Sequence, residues 1–109
     1  MAEEFANVIV DISHERVDRP FQYRVPERLR GQVGAGSPVL VPFGAGNRLR
    51  KGYVVELTDR AEYDPARIKE LDSLDETGYN AASQLIRLAW WMKEQYGSTM
   101  NQALKTVLP

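Results

Sequence analysis

Two short apolar runs, Val39-Leu40-Val41 and Tyr53-Val54-Val55, stand on either side of a glycine-rich, basic excursion. Both runs have the β-branched and aromatic content of strands, so Val39 to Leu57 reads as a hairpin around which the rest of the chain is organised. The excursion holds Pro42, Gly44, Gly46 and Gly52, with Arg48, Arg50 and Lys51 among them. Pro42 has no N–H to give to a ladder and belongs at a strand end or on an edge. Gly44 and Gly46 permit positive φ and let a ligand come close to the backbone. Bare backbone, three cations and the aromatic Phe43 together make a place to hold an anionic chain.

Other short strands precede and follow this hairpin. Phe5 to Asp11 contains Val8-Ile9-Val10, a contiguous apolar run of the kind buried on both faces. His14 to Arg19 is polar and reads as a loop, with His14 as a solvated loop histidine and a phosphate or base contact as the alternative. Pro20 opens a second strand, in which Phe21, Tyr23 and Val25 alternate with Gln22 and Arg24 before Pro26 ends it. Glu27 to Gln32 is a polar connection with room for one helical turn, and Gly31, Gly34 and Gly36 then break regular structure. Thr58 to Pro65 is acidic and rich in turns. Ile68 to Leu74 alternates weakly and reads as a fifth strand or a short helix. Short strands joined by Gly/Pro turns point to a small barrel or curled sheet.

The last third changes period. Asn80 is an N-cap, Ala81 to Tyr96 runs without Pro or Gly, and Gly97 closes the segment. Leu85, Leu88, Ala89, Met92 and Tyr96 recur at helical spacing and form the expected packing face. Trp90 and Trp91 read as core, with one partly exposed, and a stacking or docking face is the alternative. Ser98 or Thr99 can cap a second, shorter helix through Val107, with Met100, Leu104 and Val107 on one side. The expected fold is mostly β with C-terminal helices: a small OB-like barrel of about five strands capped by one long and one short helix. It is read as one domain, residues 1–109, with a barrel part at 1–76 and a helical part at 77–109.

Much chemistry is excluded by what the chain lacks. There are no cysteines and one histidine, which removes disulfides, cysteine-ligated metal, cysteine nucleophiles and histidine-rich metal sites. No GxxxxGK[ST], HExxH or GxSxG occurs. The acids cluster in a loop rather than standing as an isolated pair among apolar residues, which leaves glycosidase chemistry little support. The expectation is a binding module with no catalytic residue, no metal and no cofactor. No run of about 18 apolar residues is present and the start, MAEEF, is acidic, so a cytoplasmic protein without a membrane partner is expected. Charge is uneven: residues 16–51 carry eight cations against two acids, and residues 52–76 carry eight acids against three cations. That asymmetry fits a polyanion-binding face, a solvated surface being the alternative.

The order Arg19-Pro20-Phe21-Gln22-Tyr23-Arg24-Val25-Pro26, then Gly36-Ser-Pro-Val-Leu-Val-Pro-Phe-Gly44, then Gly52-Tyr-Val-Val55 and Ile68-Lys69, resembles the start of the PriA family. These are the primosomal N′ proteins, replication-restart DNA helicases. Trp90-Trp91 to Tyr96 and Gln102 to Pro109 are similar to the helical tail of the same segment, so the resemblance spans essentially the whole chain. It implies a domain that binds the 3′-hydroxyl end of the nascent leading strand at a stalled fork. Its partners would then be DNA with a 3′ end, the rest of a parent helicase chain, and possible further primosome proteins. The family's pocket residues fall on Phe21, Gln22, Gly44 and Lys69. Gln22 departs from the family's usual Asp; a carboxylate only accepts, whereas an amide accepts or donates. The helicase motors, zinc-binding cysteines and winged helix of the full family have no counterpart in these 109 residues.

The residues themselves carry compatible chemistry. A terminal nucleotide needs a stacking face, a hydroxyl partner, close backbone approach and a cation for phosphate. Phe21, Gln22, Gly44 and Lys69 offer these four properties, with Arg48, Arg50 and Lys51 as contacts to the DNA backbone. The bland reading makes Phe21 plain core, Gly44 a turn residue and Lys69 a solvated side chain. The competing class is a β-barrel interaction or domain-packing module that docks through the Trp90/Trp91 helix and has no nucleic-acid site.

Overall fold

The longest strand, β4 (Arg48–Thr58), lies at the centre of the sheet. The computed structural model describes residues 3–10 and 20–107; the loop expected around His14 and the terminal Pro109 lie outside them. Before β4 come β1 (Phe5–Val10), β2 (Phe21–Arg24) and β3 (Pro38–Phe43); after it come β5 (Ser73–Leu74), α1 (Ala81–Tyr96) and α2 (Met100–Val107). The five strands form one antiparallel sheet in the order β2-β1-β4-β3-β5. The fold is therefore mostly β with two C-terminal helices, as the sequence led us to expect, but the sheet is not closed into a barrel.

Closure fails for want of strand length at one place. The segment before β5 bridges toward β2 rather than pairing along it. Arg24 N donates to Lys69 O at 2.8 Å and Leu71 N donates to Arg24 O at 3.0 Å, one parallel bridge in all. Asp72 N then donates to Leu40 O at 2.9 Å, which carries the same segment over to β3. The expected fifth strand, Ile68–Leu74, is thus a two-residue strand with an extended lead-in.

Alternation sorts the side chains onto two faces. Val8, Val10, Val39, Val41 and Val54 point inward with Tyr23, Val25 and Leu71, and Leu29 and Val33 of the β2–β3 connection close one end of this cluster. Ile9, Tyr53 and Val55 point outward, under the helices. The apolar run Val8-Ile9-Val10 is therefore covered on both faces, as its composition implied. A bulge keeps the pattern in step: Asn7 opposes Glu56 while Val8 opposes Val54, leaving Val55 as the extra residue. Val54 and Leu57 consequently both face the inner core, although they stand an odd three positions apart.

The helices form a hairpin over the outer face. Asn80 caps α1 reciprocally with Ser83, and Gly97, at φ +67°, ends it. Thr99 caps α2 by accepting from Gln102 N at 3.1 Å. The packing face of α1 differs from expectation. It is centred on Ser83, Ile86 and Ala89, while Leu88, Trp90, Trp91 and Tyr96 are exposed by 44, 43, 49 and 75%. Gly36 accounts for much of this rotation. It sits at φ +89°, and a Cβ there would lie 2.6 Å from Ser83 O, so the first turn of α1 lies directly on the β2–β3 connection. The second constraint is α2, which buries Met100, Ala103 and Leu104 against the same cluster. Lys93 pairs with Glu56 on the bulged part of β4, fixing the far end.

Candidate nucleic-acid interface

Where the ladder fails to close, between β2 and the end of β3 that runs past β5, an open cleft of about 620 Å³ remains. Its walls come from sequence-distant segments, and four pins hold them. Phe21 on β2 meets Phe43 on β3 edge-to-face, ring centroids 5.1 Å apart at 84°. Tyr23 Oη donates to Pro42 O at 2.8 Å, again joining β2 to β3. Burial pushes the Tyr23 phenol up to about 12. Lys69 Nζ donates to Gly44 O at 2.8 Å, tying the segment before β5 to the hairpin loop. The backbone bridge at Arg24 completes the set.

Phe21, Gln22, Gly44 and Lys69, the four residues expected to form a pocket, all line this one cleft. Phe21 belongs to the rim of the inner core as well, so its bland and functional readings are compatible. Gly44 adopts φ +76°, and nothing lies within 4 Å of where its Cβ would be. The turn requires glycine there for conformation, and the space above it stays open. Lys69 has three donors and spends one on Gly44 O, leaving two for a ligand.

Gln22 is in the cleft wall but is already occupied. It is 8% exposed. Its Oε1 accepts from Glu62 N at 2.8 Å, and its Nε2 donates to Arg60 O at 3.0 Å. Both ends of the amide therefore hold the loop that follows β4. An aspartate would be shorter and would place acceptor against acceptor at Arg60 O, so Gln22 and a family Asp are not interchangeable here.

The three cations of the hairpin separate. β4 begins at Arg48, so Arg48, Arg50 and Lys51 are strand residues rather than turn residues; the loop is only Gly44 to Asn47. Arg48 pairs with Phe43 and Arg50 with Val41, both on the inner, cleft-bearing face. Lys51 pairs with Leu40 and shares the outer face with Tyr53. All three are exposed.

Sequence reasoning missed Tyr63, Asp64 and Arg67, which also line the cleft. Tyr63 and Asp64 fall in the stretch read as acidic and rich in turns, and Arg67 lies just after it. A signal existed: Arg67 and Lys69 flank buried Ile68 at strand spacing, which places both on one side. Asp64-Pro65 is a cap signature, and Asp64 Oδ1 does accept from Ala66 N at 3.1 Å. That this loop returns to the mouth of the cleft depended on long-range pairing.

A family model described as 3'DNA-binding domain (3'BD), that of PriA, matches residues 7–109. The chain is 33% identical over 105 residues to the Replication restart protein PriA of Bacillus subtilis, covering 96% of this chain and 13% of that protein. It is 32% identical over 90 residues to the Replication restart protein PriA of Rickettsia conorii, covering 83% and 13%. The chain thus spans 13% of the length of these curated relatives.

Proposed function

The chain belongs to the PriA 3'DNA-binding domain family, and from that premise we propose that its cleft receives the terminal nucleotide of a DNA strand bearing a free 3′-hydroxyl, without reading sequence. The observation that carries this reading is the convergence of Phe21, Gly44 and Lys69, from three separate segments, on one open cleft of about 620 Å³. That volume lies within the roughly 300–1,000 Å³ of small-ligand sites. The Phe21–Phe43 pair supplies a π surface on which any base stacks, worth roughly 1–3 kcal/mol per base. The backbone at Gly44 leaves room for sugar, and Lys69 and Arg67 face the phosphate. Arg48 and Arg50 extend the cationic track along the same sheet face; Lys51 does not.

On this reading the domain would act in the cell at the 3′ end of a nascent leading strand at a stalled fork, as the end-sensing part of a larger cytoplasmic replication-restart helicase. The unwinding activity and the contacts with other primosome proteins would belong to the rest of such a protein. No helix among the described residues is long and apolar enough to cross a membrane.

The test is titration of a short single strand ending in a free 3′-hydroxyl against the same strand ending in a 3′-phosphate. Tighter binding of the free end is expected, and equal affinity would remove the end-sensing reading. In the same assay Arg48→Ala with Arg50→Ala should flatten the salt dependence by roughly 0.7 per lost contact, while Lys51→Ala leaves it nearly unchanged. A second reading draws on the exposed Leu88 and on Trp91, which stacks edge-to-face on Tyr96 at 6.4 Å. This apolar side of α1 would dock another protein surface, and such docking would not weaken as salt rises.

A further inference from the structure

We infer that Asp64 supplies the acceptor for the terminal hydroxyl in this chain, with Gln22 holding the loop that presents it; this rests on the end-binding reading above. A terminal hydroxyl donates one hydrogen bond, and a carboxylate oxygen without a partner is a stronger acceptor for it than a neutral carbonyl that already accepts one. Three neutral oxygens of the cleft already accept one bond each. Gln22 Oε1 accepts from Glu62 N, Pro42 O accepts from Tyr23 Oη, and Gly44 O accepts from Lys69 Nζ. Lys69 and Arg67 are donors only.

Asp64 is the one carboxylate among the described residues lining the cleft. Its Oδ1 is committed to Ala66 N at 3.1 Å, which fixes the side chain at the start of the turn Pro65–Arg67. Its second oxygen has no hydrogen-bond partner among the described residues. The side chain is thus oriented by one oxygen and available through the other. The clamp is two residues away: Gln22 bonds Arg60 O and Glu62 N, immediately before Tyr63 and Asp64. A negative acceptor serves two ends at once. It takes a charge-assisted bond from a hydroxyl, and it repels a terminal phosphate in the same position.

The experiment uses the 109-residue chain and three strands that differ only at the 3′ terminus: hydroxyl, hydrogen and phosphate. Asp64→Ser keeps a capping oxygen for Ala66 N and removes the free one. Asp64→Asn keeps the shape and removes the charge. The wild type should prefer hydroxyl to hydrogen by roughly tenfold or more, the effect of one charge-assisted bond. Asp64→Ser should bring that ratio near one, and Asp64→Asn should strengthen binding of the phosphate-terminated strand. An undiminished hydroxyl preference in Asp64→Ser would put the acceptor elsewhere and overturn this assignment while end-sensing stands. Equal weakening of all three strands would reduce Asp64 to loop structure and overturn it too. A wild type indifferent to hydroxyl against hydrogen would overturn this assignment alone, and one indifferent to phosphate as well would remove both readings.

Discussion

The two faces of the sheet are secured by different physics. The outer face is covered by a helical hairpin, and its order comes from apolar burial of Val55, Ile86, Ala89 and Leu104 with two good helix caps. The inner face is covered by its own curl, and where the curl stops short the gap is spanned by pins: a phenol to a carbonyl, an ammonium to a carbonyl, one aromatic pair and one backbone bridge. Burial is non-directional and fills space. Pins are directional and hold two walls apart at a set distance. The wider cleft, about 620 Å³ against about 310 Å³ beside the start of α2, lies on the pinned side for that reason.

The sharpest way to break this comparison is to weaken each side once. Leu71 is fully buried beside the bridge to Arg24, and Ile86 is buried under α1. Leu71→Ala and Ile86→Ala should each cost on the order of 2–5 kcal/mol in denaturant unfolding. Only Leu71→Ala should also lower affinity for the 3′-hydroxyl strand in the folded protein, because it loosens a wall of the cleft. Both tryptophans lie on α1, so their fluorescence reports the packed side. Equal effects on DNA binding would mean that the two faces are not separable.

A smaller effect is expected from one pin. Tyr23→Phe should cost about 1 kcal/mol, the net worth of a typical hydrogen bond. It should also change the alkaline limb of stability. The folded phenol keeps its proton to about 12, whereas the unfolded one releases it at the ordinary 10.0. The wild type therefore loses stability as pH rises from 10 to 12, and Tyr23→Phe should lose less over that window. Part of the slope will remain in the variant. The hydrogen bond to Glu56 raises the Lys93 ammonium above its usual 10.5, and that contribution also fades as pH rises. Thermal melts at several pH values from 9 upward decide it.

The smallest effect belongs to Leu88. Helical spacing alone makes it a core position, for which Leu→Ala costs on the order of 2–5 kcal/mol. At 44% exposure Leu88→Ala should stay within about 0.5 kcal/mol of the wild type. A large loss would mean that α1 is rotated back toward the face its periodicity favours.

Local chemistry fixed much of this molecule in advance. The hairpin, the alternation of Phe21, Tyr23 and Val25, the caps at Asn80 and Gly97, and the two-sided burial of Val8 to Val10 follow from side-chain shape and backbone freedom, which a sequence displays directly. The ends of elements were less legible. Gly44 to Lys51 contains enough glycine and charge to read as one long turn, yet β4 starts at Arg48 because pairing with Phe43 satisfies its backbone. The choice of helix face was misread for a related reason. An arc of apolar residues wider than one contact leaves the rotation open, and a close approach at Gly36 settles it from outside the helix.

For the candidate site, the sequence by itself determined which residue types were available: an aromatic, an amide, a glycine and a lysine spaced along three segments. Only the tertiary structure decided that they share a cleft, that Lys51 turns away from Arg48 and Arg50, and that Gln22 is occupied at both ends while Asp64 keeps one oxygen without a partner among the described residues. A one-dimensional pattern specifies what each residue can donate, accept or bury. Which partner takes up that capacity depends on residues about forty positions away, as Glu62 does for Gln22, and chain folding alone brings those together.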